Sequence, residues 1–275
     1  MVKFLQDVDP IMRIAGCTVL ALAALCVPET MPRAAELAQV IATVKQSVVA
    51  VGTFEKTRTP PVVFNGTGFA VGDGLSIVTN AHVVLDADAN AARVIGVIVT
   101  GTGAYEFRPA VAVELDREHD LALLRITGKP LAPLTLADSN LAAEGHTLAF
   151  TGYPLGMALG LNPATHRAML AAVTPAFMPP LNARKLDPAI IGKLVSKPFD
   201  IFQIDGTAFP GNSGSPLYRS EDGAVVGIIN MVWIRDAKGA VDSRASGISY
   251  AIPSNFIRDL VKRQAAASNQ ERNTP

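Results

Sequence analysis

Ser213 sits in Gly211-Asn212-Ser213-Gly214-Ser215-Pro216, directly after Phe209-Pro210. A serine flanked by glycines on a tight turn suits a nucleophile whose neighbouring backbone N–H groups face a developing negative oxygen. Glycine supplies the unusual backbone angles and leaves room for a reactant to approach. The same residues are also ordinary turn chemistry, so the motif gains its meaning from partners. Two are present. His82 follows an apolar run in Ile77-Val78-Thr79-Asn80-Ala81-His82-Val83-Val84, which places the imidazole at a strand end. Asp120 opens another apolar run, Leu121-Ala122-Leu123-Leu124. A serine hydroxyl is a poor nucleophile until a base takes its proton, and a histidine serves as that base when a carboxylate fixes its tautomer. The order is His, Asp, Ser, with steps of 38 and 93 residues.

Asp116 and Glu118 compete for the carboxylate role, but both lie in a polar stretch, whereas the apolar run begins immediately after Asp120. His119, His146 and His166 read as exposed loop residues. None of the four histidines has metal-ligand spacing and there is no His-Glu-x-x-His, so no metal and no cofactor is expected.

The chain resembles the HtrA (Deg) family of trypsin-like serine proteases. Thr79-Asn80-Ala81-His82-Val83-Val84, Asp120-Leu121-Ala122-Leu123 and Pro210-Gly211-Asn212-Ser213-Gly214 carry the likeness. Gly66-Thr67-Gly68-Phe69, Gly152-Tyr153-Pro154-Leu155-Gly156, Gln203-Ile204-Asp205 and Tyr250-Ala251-Ile252-Pro253-Ser254-Asn255 extend it in the same order, over roughly residues 36 to 264. The His-Asp-Ser order is that of chymotrypsin-type enzymes and not of subtilisins or α/β-hydrolases. The resemblance implies an all-β fold of two six-stranded antiparallel β-barrels with short N- and C-terminal helices. His82 and Asp120 would stand on the first barrel and Ser213 on the second. It also implies an oxyanion hole from the backbone N–H groups of Gly211 and Ser213, assisted by Asn212, and polypeptide substrates. A homotrimer follows from the likeness alone. Typical HtrA proteins append PDZ domains, and no such module fits in the residues after 264.

Digestive relatives carry aspartate before the serine, where it pairs with a newly cut N-terminus. The neutral amide of Asn212 cannot form that ion pair, and the HtrA resemblance implies activation by loop rearrangement instead of propeptide removal. The primary pocket is expected at Thr207, Ala208 and Phe209, with Ile229 and Asn230 opposite. It holds no carboxylate to attract Arg or Lys, so a small or apolar residue before the scissile bond is expected. Gly211-Asn212-Ser213-Gly214-Ser215-Pro216 is also similar to V8-type glutamyl endopeptidases, but Gly227-Ile228-Ile229-Asn230 lacks their pocket histidine. A third reading is a protease-fold chaperone or binding protein with little turnover.

The elements that must position these residues follow from the rest of the sequence. With 24 basic and 24 acidic residues the formal charge is zero, so nothing argues for nucleic acid. Short Val/Ile/Thr-rich runs punctuated by 22 Gly and 19 Pro predict many short strands. Examples are Ser47–Phe54, Gly68–Val71, Ile77–Thr79, Val94–Thr100, Leu121–Ile126, Thr147–Thr151 and Ala224–Trp233. The first barrel is expected over about 47–130 and the second over about 140–252, with the boundary between 128 and 140. Leu37, Val40, Ile41 and Val44 follow i, i+3, i+4, i+7 and predict a helix before the first strand. A second helix, capped by Ser254, would carry Phe256, Ile257, Leu260 and Val261 on one face. Between 175 and 200 lies a proline-rich insertion. In it Asp187-Pro188 reads as the start of a helix carrying Ile190, Ile191, Leu194 and Val195, either a lid or a helix packed on the barrel. Residues 265–275 read as a disordered polar tail.

Residues 1–35 read as a targeting segment. The uncharged run from Ile14 to Val27 would span about 21 Å as a helix, short of the hydrocarbon core of about 30 Å. A signal peptide fits better than a membrane span, and the membrane is a partner only if the segment stays uncleaved. An exported, periplasmic or secreted protein follows. Cys17 and Cys26 both lie in that run, so a cleaved chain has no thiol, which excludes a cysteine nucleophile and a disulfide framework.

Overall fold

Twelve strands close into two antiparallel six-stranded barrels in the computed structural model, which describes residues 33–85, 93–100, 105–156, 160–176, 199–231 and 247–272. The first barrel contains β1 (Val48–Phe54), β2 (Val62–Val71), β3 (Ser76–Asn80), β4 (Val94–Thr100), β5 (Tyr105–Asp116) and β6 (Leu121–Ile126). Their spatial order is β1-β2-β3-β6-β5-β4, closed by β1 pairing with β4. The second contains β7 (Thr147–Gly152), β8 (Ala164–Pro175), β9 (Asp200–Asp205), β10 (Pro216–Arg219), β11 (Val225–Asn230) and β12 (Ile248–Pro253). Its order is β10-β11-β12-β9-β8-β7. Closure leaves neither sheet a free edge, so backbone polar groups are paired around each ring. Both barrels belong to one compact unit, Leu37–Pro275.

The apolar runs quoted as strands are among the strands that line the cores. Val49, Val51, Ala70, Ile77, Val97, Ala122, Leu124 and Ile126 fill the first barrel. Leu148, Phe150, Leu170, Ile204, Leu217 and Ile229 fill the second. A third cluster runs across both, joining Val48, Phe69 and Leu121 to Tyr153, Tyr218 and Ile252. Burying each such side chain is worth about 1.5–3 kcal/mol, so the barrels are held face to face by the same force that fills them.

Helix α1 (Arg33–Lys45) buries Val44 and half-buries Leu37, Val40 and Ile41, as their spacing predicts. Helix α3 (Ser254–Arg272) lays Ile257 and Leu260 into the shared core, with Phe256 and Val261 beside them. Two expectations for α3 are corrected. Ser254 donates its hydroxyl to the Ala137 carbonyl, 2.9 Å away, instead of capping the helix. Residues 265–272, expected in a disordered tail, continue the helix to Arg272. Ala265-Ala266-Ala267 are strong helix formers and carry it onward. The apolar run at 14–27, the helix expected at 187–195 and most of the 175–200 insertion lie outside the described residues. Among the described residues no helix is long and apolar enough to cross a membrane.

Candidate active site

His82 does not stand on a continuing strand. β3 stops at Asn80 and the next five residues form a short helix, α2 (Ala81–Leu85), that turns the apolar Val83 and Val84 inward. Asp120 causes the break. Its carbonyl accepts the Ala81 N–H at 3.0 Å and the Asn80 side-chain amide at 3.1 Å, so the chain after β3 is tied to the mouth of β6. Asp120 has φ +51°, a left-handed conformation that Asp tolerates better than most residues. From there its carboxylate reaches back to His82 twice. Oδ1 accepts the His82 backbone N–H at 2.8 Å, and Oδ2 lies 2.6 Å from Nδ1. Facing a carboxylate, Nδ1 is the protonated nitrogen, which leaves Nε2 as the basic one.

Of the three neighbouring carboxylates, Asp120 is the one in contact with His82, while Asp116 turns to His119 and Arg263. Asn230, expected in the substrate pocket, instead donates its amide to Asp120 Oδ2 at 2.7 Å. It is fully buried, and a buried amide must find an acceptor. The carboxylate therefore gathers three hydrogen bonds, two from α2 and one from the end of β11.

The serine loop is built by backbone geometry. Phe209-Pro210-Gly211-Asn212 forms a β-turn closed by the Asn212 N–H to the Phe209 carbonyl at 2.9 Å. Pro at its second position and Gly211 at φ +99° in its third define a type II turn. The Pro210 carbonyl accepts the Leu155 N–H at 2.7 Å. In a trans peptide N–H and C=O point opposite ways, so the Gly211 N–H faces away from Leu155. The Asn212 N–H, expected to assist an oxyanion, is instead committed to Phe209.

Thr67 fastens this loop to the first barrel. Its N–H donates to the Ser213 carbonyl at 2.8 Å, its hydroxyl to the Gly211 carbonyl at 2.7 Å, and its own carbonyl accepts the Thr79 hydroxyl at 2.7 Å. Gly66 lies between the Ser213 carbonyl and Val83, the residue after His82; a Cβ there would fall 3.0 Å from one and 2.8 Å from the other. Ser213 itself is 5% exposed. Thr67 was legible only as part of the Gly66-Thr67-Gly68 motif, with no sign that it joins the barrels.

Among the remaining pocket candidates, Ala208 and Ile229 are core residues of the second barrel. Thr207 is half-buried and Phe209 exposed. Ile229 packs with Leu148, Phe150 and Leu217 in the second barrel's core. His119 and His166 are not exposed loop residues. His119 is enclosed by Phe199 and Phe256. His166 lies within β8 and stacks on Phe150 with centroids 4.9 Å apart. Burial holds its pKa below the usual histidine value. His146 is exposed, as expected. Among the described residues no cluster of His, Cys, Asp and Glu has the geometry to hold a metal.

The family defined by the trypsin-like peptidase domain matches residues 66–228, a span that contains His82, Asp120 and Ser213. The chain belongs to the trypsin-like peptidases. Within them its relatives are HtrA-type. It is 30% identical over 195 residues to a probable periplasmic serine endoprotease, DegP-like, of Halomonas elongata, covering 71% of this chain and 34% of the relative. It is 33% identical over 206 residues to the mitochondrial serine protease HTRA2 of Bos taurus, covering 73% and 36%. This peptidase thus spans about a third of the length of these relatives. Two solved structures share its fold. The HtrA-type protease AlgW with a tripeptide aligns with TM-score 0.57 at 22% identity, over 82% of this chain and 62% of that one. A protease from M. tuberculosis in its active form aligns with TM-score 0.56 at 23% identity, over 81% and 82%.

Proposed function

We propose that this peptidase is a serine endopeptidase of unfolded or misfolded exported polypeptides, acting through His82, Asp120 and Ser213. The observation that carries the reading is the 2.6 Å contact between Asp120 Oδ2 and His82 Nδ1, made while the Ser213 loop is bonded to the same barrel through Thr67. In this reading Nε2 of His82 takes the Ser213 proton as the hydroxyl attacks the scissile carbonyl, then returns it to the leaving amine. Asp120 keeps the ring in one tautomer and stabilises the imidazolium that forms. The oxyanion is received by the N–H groups of Gly211 and Ser213. The type II turn supports this role, because a flip of the Pro210–Gly211 peptide would turn that N–H the other way.

A small or apolar residue before the scissile bond is the preference, since Thr207 and Phe209 offer no charge to a longer cationic one. Export rests on the apolar run at 14–27 and on the periplasmic relative. Assembly as a homotrimer rests on the family likeness alone. The test treats the full chain and its Ser213→Ala variant with a fluorophosphonate probe and with unfolded casein. Labelling and cleavage that vanish in the variant are expected. A folded wild type that shows neither would replace the catalytic reading with a binding role.

A further inference from the structure

His119, one residue before Asp120, is the centre of a cluster that the catalytic reading leaves unused. Its ring stacks on Phe256 of α3 with centroids 4.0 Å apart and planes 23° apart. It meets Phe199 edge-on at 4.6 Å, and Phe199 in turn meets Phe256 at 5.2 Å. Nδ1 lies 3.0 Å from both oxygens of Asp116, and the His119 backbone N–H donates to Oδ1 at 3.0 Å. The far oxygen of Asp116 accepts a guanidinium N–H of Arg263 on α3 at 2.8 Å. The imidazole and the carboxylate are 16% and 10% exposed. Burial opposes the charge on Asp116, but the bonds from His119 and Arg263 outweigh it and hold its pKa below the usual carboxylate value.

This cluster clamps a backbone that needs clamping. A non-glycine residue at φ +51° persists only where its surroundings over-determine it, and Asp120 is one of two such residues among those described. Its carbonyl is tied to Ala81 and Asn80, and its side chain to His82 and Asn230. The residue before it, His119, is held by its bonds to Asp116 and by a ring gripped from two directions. One is α3. The other is Phe199, whose carbonyl accepts the Ala176 N–H at 2.8 Å and closes the neck of the connection between β8 and β9.

We propose that His119 is a positioning residue for catalysis: wedged between α3 and the 176–199 neck, it holds the left-handed turn that presents Asp120 to His82. The inference rests on the His82-Asp120-Ser213 reading. It gives the neck a mechanical connection to the catalytic carboxylate, so Phe199 belongs to the same device. A displacement of the carboxylate by about 1 Å is enough for a loss of about 10²-fold.

The experiment compares the full wild-type chain with His119→Leu, His119→Phe and Phe199→Leu. The fluorophosphonate reaction yields a maximal inactivation rate and a half-saturating probe concentration. Proton NMR follows the low-field signal of the His82 Nδ1–H that faces Asp120. His119→Leu is expected to lower the maximal rate about 10²-fold, leave half-saturation within about threefold, and shift or broaden the low-field signal. His119→Phe keeps the stack and the backbone bond and loses only the ring's bond to Asp116, so it should fall between wild type and His119→Leu; it also decides the matter if the leucine variant does not fold. Phe199→Leu should move the same signal. Folded variants with wild-type rates, or with slower rates and an unmoved signal, would overturn the positioning role while leaving the triad intact. A wild-type chain that does not react would overturn the triad reading, and this inference with it.

Discussion

The two halves of the candidate site are fixed by different physics. On the first barrel, the His82–Asp120 pair is over-supplied with hydrogen bonds: three reach the carboxylate and two reach its carbonyl. On the second, the serine loop is held through its backbone: its carbonyls accept from Thr67, and its glycines take angles that other residues avoid. Gly211 and Gly214 adopt φ +99° and +89°, and a Cβ at Gly214 would fall 1.9 Å from the Thr67 carbonyl oxygen. The side-chain amide of Asn212 and the Ser215 hydroxyl are buried with no hydrogen-bond partner among the described residues. The charged side is thus tuned by side chains, and the nucleophile side by backbone shape. Substitutions on the first should be graded, while those on the second should be close to all-or-none.

Gly211→Ala is the sharpest way to break that contrast. The new Cβ would meet the Tyr153 carbonyl oxygen at 2.3 Å and the Phe64 ring at 2.8 Å, in a backbone region alanine avoids. The turn must leave its type II form and the Gly211 N–H must turn with it. The expected loss is about 10²–10³-fold in the maximal fluorophosphonate rate, the value of one oxyanion donor. A variant within threefold of wild type would show that this N–H does not stabilise the reacting oxygen.

Asn230→Ala tests the graded side. It removes one of three bonds to a carboxylate, a hydrogen bond to a charged group worth about 1.5–3 kcal/mol. The two bonds from α2 remain, so the pair should loosen without separating. A loss of about 10- to 100-fold in the same rate, with the probe's half-saturation unchanged, is expected. If half-saturation changes instead and the rate does not, Asn230 acts at the substrate pocket after all.

This contrast also explains what was legible in the sequence. The strands Val94–Thr100 and Leu121–Ile126 match their expected bounds residue for residue, because apolar runs of that length have little else to form. β5 went unread: Tyr105–Asp116 mixes Glu, Arg and Pro with Val and Ala, is half-buried along much of its length, and carries a bulge between Ala112 and Glu114. Its pattern exists only relative to its neighbours β4 and β6. The serine loop was legible because glycine and proline announce backbone geometry locally. Asn230 was misplaced because its partner lies 110 residues away, and nothing near Ile229-Asn230 says which way an amide will turn. His119 and His166 were misread for the same reason. A polar ring in a loop-like context looks exposed until the aromatic residues that cover it are brought in from elsewhere.

The two barrels' histidines give the smallest and most discriminating test. His82 has a carboxylate at 2.6 Å, whereas Nε2 of His166 is buried with no hydrogen-bond partner among the described residues and its ring lies against Phe150. Burial lowers the folded pKa of His166 below its unfolded value of about 6.5. At pH above that value both states are neutral and the group contributes nothing to pH dependence. As pH falls through about 6.5, the unfolded chain takes up a proton that the folded chain refuses, so stability declines until the lowered folded pKa is reached. His166→Phe removes this proton uptake and keeps a ring against Phe150. Between pH 7.5 and 5.5 the variant should therefore lose less melting temperature than wild type. The gap between the two proteins should open as pH falls through about 6.5 and is read from their melting temperatures at the two pH values. Parallel losses in the two proteins would mean that a solvent path or a partner at Nε2 lets His166 accept its proton without unfolding. The second barrel would then tolerate charge beside Phe150.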